Sequence, residues 1–433
     1  MMKKLCYPDD IDKINKIIEK NKNNLECNQE IENTVDNIIE NVKSKGDKAL
    51  YEYTFKFDNV KLEDLTVSER EKQKAYDKVN KAFLNSLNKA IEKISSFHKK
   101  QLKESWFSHS DGRNMVGQLI NPIKRIGAYV PGGTAAYPSS VLMTVIPAKI
   151  AGVDEIVVTT PPNEEGLNPY TLVALEEIGV EEIYKVGGAQ AVAALSYGTE
   201  TINSVDKIVG PGNIYVTMAK KRVFGHVGID MLAGPSEVLI LADDSADPTK
   251  VAADLLSQAE HDPLAVPILI TTSPKLAEKT AEQVESQLEE LGRRDIAASS
   301  WEENGIIIVV DSLENGFNLV NRFAPEHFEM VVEEPLSYLG LIKNVGAVFV
   351  GEYSPEPLGD YMAGPNHVLP TGGTARFASP LSVDDFIKKS SLIYYDKEGL
   401  EKLKGDIERL ANIEGLDAHA SAIKKRFECD NND

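Results

Sequence analysis

Apolar positions change rhythm twice along the chain, which separates three stretches. Ile31, Val35, Ile38, Ile39 and Val42 recur at helical spacing, and Gly46 follows as a stop. The stretch SEREKQKAYDKVNKAFLNSLNKAIEKISSFHKKQ then predicts one long helix with a charged, solvated face. From 123 onward short apolar runs alternate with glycine turns and helical segments. RIGAYVPGG leads into SSVLMTVIPAKIAG, and EIVVTTPP into NPYTLVALEEIG; YKVGGAQAVAALSYG and KIVGPGNIYVTMAKKRV follow the same plan. After 237 the plan resumes with EVLILAD, VPILITTS, GIIIVVD and a strand near AVFVGEY. This alternation predicts parallel sheets with crossover helices, here two α/β domains, one inserted in the other. Beyond about 382 the pattern is helical and charged again, a small C-terminal module.

The glycine turns invite a nucleotide-binding reading, yet YVPGGTAAYP, VGGAQAVAAL and VGPGNIYV contain no G-x-G-x-x-G. The usual dinucleotide turn is therefore not signalled. Each loop alone reads equally as a tight turn, although glycines after strands let a ligand approach backbone N–H groups.

Charge narrows the possibilities. Lys and Arg number 47 against 67 Asp and Glu, a net charge of −20, which repels phosphate backbones and gives no footprint for nucleic acid. MMKKLCYPDDIDKINKIIEK has no apolar core of a secretory signal, and no apolar run is long enough to span a bilayer. Cys6, Cys27 and Cys429 lack ligand-like spacing and read as free thiols in a reducing cytoplasm.

Four of the seven histidines (His261, His327, His367 and His419) stand in polar or glycine-rich settings. Gln258 and His261 are three apart at a helix end, a spacing that puts both on one face. GDYMAGPNHVLP offers Asp360 and His367, and IEGLDAHASAIKKR offers Glu414 and His419. Singly, each pair reads as a surface or capping pair. Together they point to a site whose mixed N/O donors suit zinc, although Gln is an uncommon zinc ligand. Glu326 and His327 are adjacent, and on an extended segment they would point to opposite sides. In an irregular loop after Pro325 both can face a cleft. There an imidazole can shuttle protons and a carboxylate can activate water. A hydrolase and an alcohol-oxidising enzyme would both use that pair.

RIGAYVPGGTAAYPSSVLM, AGPSEVLILAD, SQAEHDP, RFAPEHFEM, GDYMAGPNHVLPTGGTARF and IEGLDAHASAIKKR resemble successive motifs of the histidinol dehydrogenase family, in the family's order. The resemblance covers roughly residues 28–427. It implies an α/β fold of two incomplete Rossmann-like, aldehyde-dehydrogenase-like parallel-sheet domains with small helical N- and C-terminal modules. The expected divisions are an N-terminal module at 1–27 and a discontinuous substrate and zinc domain at 28–128 and 237–381. An NAD-binding domain at 129–236 and a C-terminal module at 382–433 complete the chain.

The implied reaction oxidises L-histidinol through L-histidinaldehyde to L-histidine with two NAD+, the last steps of histidine biosynthesis. By the match of motifs, Gln258, His261, Asp360 and His419 would hold one Zn2+ per subunit. Tyr129, Gln190 and Asn213 would contact NAD+. Ser236, His327, His367 and Glu414 would bind substrate alongside the zinc ligands. His327 would take the alcohol proton and assist the second oxidation, with Glu326 activating water between the two. The C-terminal module would reach the partner of a homodimer, so Glu414 and His419 would serve the neighbour's site. Two rival readings are a related zinc- and NAD-dependent dehydrogenase of another small alcohol, and a zinc hydrolase using Glu326.

Overall fold

The computed structural model describes residues 3–22, 29–109, 114–132 and 136–428. Cys27, Cys429 and residues 133–135 of the first glycine loop lie outside them. Cys6 is a free, exposed thiol.

Strands buried from end to end need cover on both faces, which crossover helices supply. Glu237–Ala242 and Val266–Thr271 are of this kind. They form the middle of a six-stranded sheet ordered Lys3–Cys6, Ile306–Val309, Val266–Thr271, Glu237–Ala242, His327–Val331, Ala347–Val350. Every pairing in it is parallel. A five-stranded sheet runs Glu182–Tyr184, Glu155–Thr159, Arg125–Tyr129, Lys207–Val209, Gly228–Ile229, also parallel throughout. Both sheets belong to one compact unit, Met1–Gln101 with Ile123–Phe386. The expected pair of parallel sheets is present.

Strand order locates where each sheet reverses. The five-stranded sheet starts with Arg125–Tyr129, adds two strands on one side, then two on the other. Its reversal lies between Tyr129 and Val209 at their carboxyl ends, the usual crevice for a ligand in such sheets. In the six-stranded sheet the reversal falls between Glu237–Ala242 and His327–Val331.

Helix Gln29–Lys45 forms where its periodicity predicts, and Gly46 follows with φ 54°. Its Val35, Ile38, Ile39 and Val42 bury against the core of the five-stranded sheet, beside Tyr129 and Val192. That packing differs from the expected grouping of 28–128 with 237–381. The apolar stripe meets helix Gly188–Tyr197, which covers the five-stranded sheet. Arg125–Tyr129 also lies wholly within that sheet, so a boundary at 128/129 would cut a strand.

The first residues do not stand apart as a module. Lys3–Cys6 pairs with Ile306–Val309, and Ile14 and Ile18 of helix Ile11–Lys22 join the core of the six-stranded sheet. The long charged helix is broken in two, Glu69–Lys78 and Lys81–Lys99. Val79 turns extended, and Asn80 caps the second helix by accepting from the Phe83 N–H at 2.8 Å.

The second compact unit is Leu102–Pro122 with Ile387–Asp433. It holds a three-stranded antiparallel sheet ordered Ile387–Tyr394, Met115–Pro122, Trp106–His109. Helices Lys397–Ile413 and Asp417–Lys424 follow in the chain. The C-terminal module is thus built on a sheet as well as on helices. Lys388 and Lys389 concealed the strand, because a solvated strand of mixed polarity has no apolar alternation to reveal it.

Candidate active site

His327 opens its strand instead of lying in an irregular loop. Helix Leu313–Phe323 ends at Ala324, whose left-handed φ of 50° turns the chain sharply ahead of Pro325. The chain then pairs at once, His327 opposite Val238 on one side and Ala347 on the other. Gly346 has to be glycine here, since a Cβ would lie 2.5 Å from the Glu326 carbonyl oxygen.

One neighbouring residue fixes both candidate bases. The Glu237 N–H donates to Glu326 Oε2 at 2.9 Å, and the Glu237 carbonyl faces His327 Nδ1 at 2.9 Å. A carbonyl only accepts, so Nδ1 carries the hydrogen and Nε2 of the neutral ring is left with its lone pair. Nε2 is buried without a hydrogen-bond partner among the described residues. Burial, reinforced by the imidazoles of His367 and His261 and opposed by Asp360 and the Glu237 carbonyl, lowers His327 to about 4. The ring is a neutral base held in one tautomer. Glu326 Oε2 lies 3.6 Å from Nδ1, so the two adjacent side chains work in one place after all.

The Glu237 side chain is buried too, accepting from Gly372 N–H at 2.7 Å and Asn21 Nδ2 at 3.1 Å. Burial pushes this carboxyl up to about 7 despite those bonds. Burial also raises Glu326 well above the carboxylate range, and the charges of Glu237, Asp360 and Glu356 add to the effect. No sequence signal pointed to Glu237 or Asn21; a carboxylate that opens an apolar strand reads only as its boundary. Ser236 directly precedes Glu237, and its carbonyl accepts from Val266 N–H at 2.9 Å.

His327, Asp360 and His367 line a cleft of about 600 Å³ with Phe349, Leu358 and Phe97. That volume suits a small ligand. His367 Nδ1 lies 3.5 Å from Asp360 Oδ1.

A group of donors adjoins the cleft. His261, Glu356 and Asp360 place one ligand atom each within 4.8 Å of one another. Gln258, wholly buried at the end of helix Pro248–Ala259, leaves Oε1 without a partner among the described residues. A donor set of imidazole nitrogen, carboxylate oxygens and an amide oxygen fits a divalent ion such as zinc. Burial, with the charge of Asp360 and a hydrogen bond to it, pushes Glu356 up to about 9. Asp360 falls to about 2, since His367 and His327 outweigh its burial. A cation would relieve this crowding of carboxyls.

The structure brings His261 and Asp360 of the expected ligands together and adds Glu356. The i, i+4 spacing of Glu356 and Asp360 on helix Glu356–Tyr361 could have revealed it. Glu356 is held by Glu329, which accepts its N–H at 2.7 Å. Glu414 and His419 lie in the small unit, at the end of helix Lys397–Ile413 and within Asp417–Lys424, both exposed.

The expected cofactor residues surround the reversal of the five-stranded sheet. Tyr129 ends its strand, and its hydroxyl accepts from Gly188 N–H at 3.1 Å. Gln190 is buried, with Oε1 lacking a partner among the described residues. Asn213 caps helix Ile214–Val223, its Oδ1 accepting from Tyr215 and Val216 N–H, so only its amide N–H2 remains for a ligand. The loop before it is clamped at Gly210: Asp230 accepts the Gly210 N–H at 2.7 Å and Lys220 donates to its carbonyl at 2.9 Å. Gly210 has φ 109°, and a Cβ there would meet the Tyr129 carbonyl oxygen. A partnerless amide at the carboxyl ends of a reversing sheet fits a dinucleotide.

Two parallel sheets, a one-tautomer histidine base in a cleft and an adjoining group of metal donors define an α/β enzyme. The histidinol dehydrogenase family model matches residues 21–427. The histidinol dehydrogenase of Caldanaerobacter subterraneus subsp. tengcongensis is 56% identical over 420 residues, 96% of this chain and 97% of that protein. That of Carboxydothermus hydrogenoformans is 54% identical over 413 residues, covering 95% and 97%. The crystal structure of histidinol dehydrogenase from Elizabethkingia anophelis superposes with a TM-score of 0.92 at 39% identity, covering 98% of each chain. The chain belongs to the histidinol dehydrogenase family.

Proposed function

We propose that this chain oxidises L-histidinol through L-histidinaldehyde to L-histidine, the closing steps of histidine biosynthesis, using zinc and two NAD+. The observation that carries the reading is the bare Nε2 of His327 in the cleft, with Glu326 fixed to the same residue behind it.

In this reading His327 Nε2 takes the hydroxyl proton as the alcohol becomes an aldehyde. A buried imidazolium is disfavoured by desolvation, so the ring releases the proton to solvent water and returns to its neutral form. Glu326 then removes a proton from the water that adds to the aldehyde carbon. Burial raises its proton affinity, making its ionised form a stronger base than an exposed carboxylate. His327 next takes a hydroxyl proton from the hydrate, and the second oxidation yields the carboxylate. Bound zinc supplies orientation of the substrate's imidazole and amine, and NAD+ supplies the acceptor of two electrons in each oxidation.

Gln258, His261 and Asp360 would hold zinc together with His419 of the partner subunit, with Glu356 beside them. Ser236, His367 and Glu414 would contact substrate. Tyr129, Gln190 and Asn213 would contact NAD+. The reading extends to a cytoplasmic homodimer whose C-terminal modules complete neighbouring sites, supported by the exposure of Glu414 and His419. Among the described residues no helix is long and apolar enough to cross a membrane.

Absorbance of NADH with L-histidinol supplied tests the reaction. It should rise with L-histidinol and stay flat with other small alcohols; a hydrolase would form no NADH. His261→Asn should lower zinc content and affinity for L-histidinol together, far enough to leave almost no NADH formation at substrate concentrations that saturate the wild type. A stoichiometric, tightly held metal in that variant would remove His261 from the ligand set.

A further inference from the structure

Several buried polar atoms around Tyr129 have no hydrogen-bond partner among the described residues. They are Asp58 Oδ2, Thr159 Oγ1 and Gln190 Oε1, with Thr54 Oγ1 one turn before Asp58 on its helix. Folded proteins pair nearly all such atoms, so grouped exceptions mark a place where a ligand supplies the partners. Three links tie them to Tyr129. Thr159 pairs in register with it, and Gln190 follows Gly188, whose N–H donates to the Tyr129 hydroxyl. Helix Asp47–Asp58 packs through Ala49 and Leu50 into the core that holds Tyr129 and meets helix Gly188–Tyr197, and the charge of Asp58 adds to the burial that pushes the Tyr129 hydroxyl up to about 12.

Asp58 is placed against its own electrostatic interest. It ends helix Asp47–Asp58, where the helix dipole is negative, and no cation forms an ion pair with it among the described residues. Burial alone pushes its carboxyl up to about 6, so above that pH it is an uncompensated anion. Such a carboxylate is acceptor-only and suits a ligand presenting hydroxyl donors. It repels a ligand presenting a phosphate.

The ribose hydroxyls of a dinucleotide are donors of this kind. Tyr129, Thr159 and Gln190 belong with its first three strands, and Asn213 follows the strand across the reversal. A dinucleotide lying across that point puts one nucleoside beside the first group and the other beside Asn213. We propose that Asp58 selects the cofactor: its carboxylate accepts the hydroxyls of the adenosine ribose of NAD+ and refuses the 2′-phosphate of NADP+. This rests on the reading of NAD+ as the oxidant.

Asp58→Asn and Asp58→Ser test it by two readouts, NADH binding to the zinc-loaded protein by fluorescence and initial rates with NAD+ and NADP+. Both variants should bind NADH about ten- to a hundredfold more weakly, as expected for losing a charged hydrogen bond. The KM for NAD+ should rise by the same factor while kcat and the KM for L-histidinol hold, which also shows that the site stays folded. The preference for NAD+ over NADP+ should fall at least about tenfold. Unchanged NADH binding, or an unchanged preference, would overturn the role of Asp58. Wild-type protein binding neither NADH nor NADPH would instead overturn the cofactor reading, and this inference with it.

Discussion

His327→Asn should lose about three orders of magnitude in kcat for both oxidations, with the KM for L-histidinol changed only a few-fold. The asparagine amide can still donate to the Glu237 carbonyl, as Nδ1 does at 2.9 Å in the native protein. What disappears is the basic lone pair at Nε2, the only part of the ring that Glu237 leaves for substrate. The alcohol and the aldehyde hydrate each give up a hydroxyl proton, so both depend on it. Steady-state rates with L-histidinol and with supplied L-histidinaldehyde, alongside zinc content, measure this. A variant keeping more than about a tenth of either kcat with zinc intact would show that His327 is not the base.

Mixed dimers should separate sharply from either parent. Inactive His261→Asn and His419→Asn chains are expected to regain activity when their subunits exchange. If each C-terminal module serves its neighbour, a heterodimer carries one site with both defects and one with neither. Up to half of its sites then work, against a background near zero. The small unit contains few buried residues of its own: helix Lys397–Ile413 buries only Gly399 and Ala411, and Asp417–Lys424 only Ala420. Leu410 and Ile413 are exposed, and such surface gains by docking. Ligands drawn from one chain alone would leave a defect in every site and no recovery, once exchange was confirmed.

How far the sequence revealed this site depended on the kind of signal each residue left. Parallel strands were legible because Glu237–Ala242 and Val266–Thr271 are nearly unbroken apolar runs. His261, Asp360 and His367 were legible because polar side chains at helix ends and beside glycines and prolines have no packing role to explain them. The strand containing Lys388 and Lys389 was not, since nothing buries it enough to impose a period. The setting of Glu326 and His327 also escaped. They sit at the amino ends of the six-stranded sheet's strands, whereas the usual rule for such sheets looks to the carboxyl ends. Their tautomer and spacing depend on the backbone of Glu237, some ninety residues earlier. No local pattern could announce a contact of that reach.

In the proposed reaction two bases, fixed to one residue, divide the oxidation between proton removal and water activation. Counting NADH formed per L-histidinol consumed, in wild-type protein and in Glu326→Gln, tests it most directly. The wild type should give two NADH with L-histidine as product. Glu326→Gln should give one, with L-histidinaldehyde accumulating and the first oxidation slowed only a few-fold. Equal loss of both steps in Glu326→Gln, with zinc and fold intact, or two NADH per L-histidinol from that variant, would show that Glu326 does not activate the water.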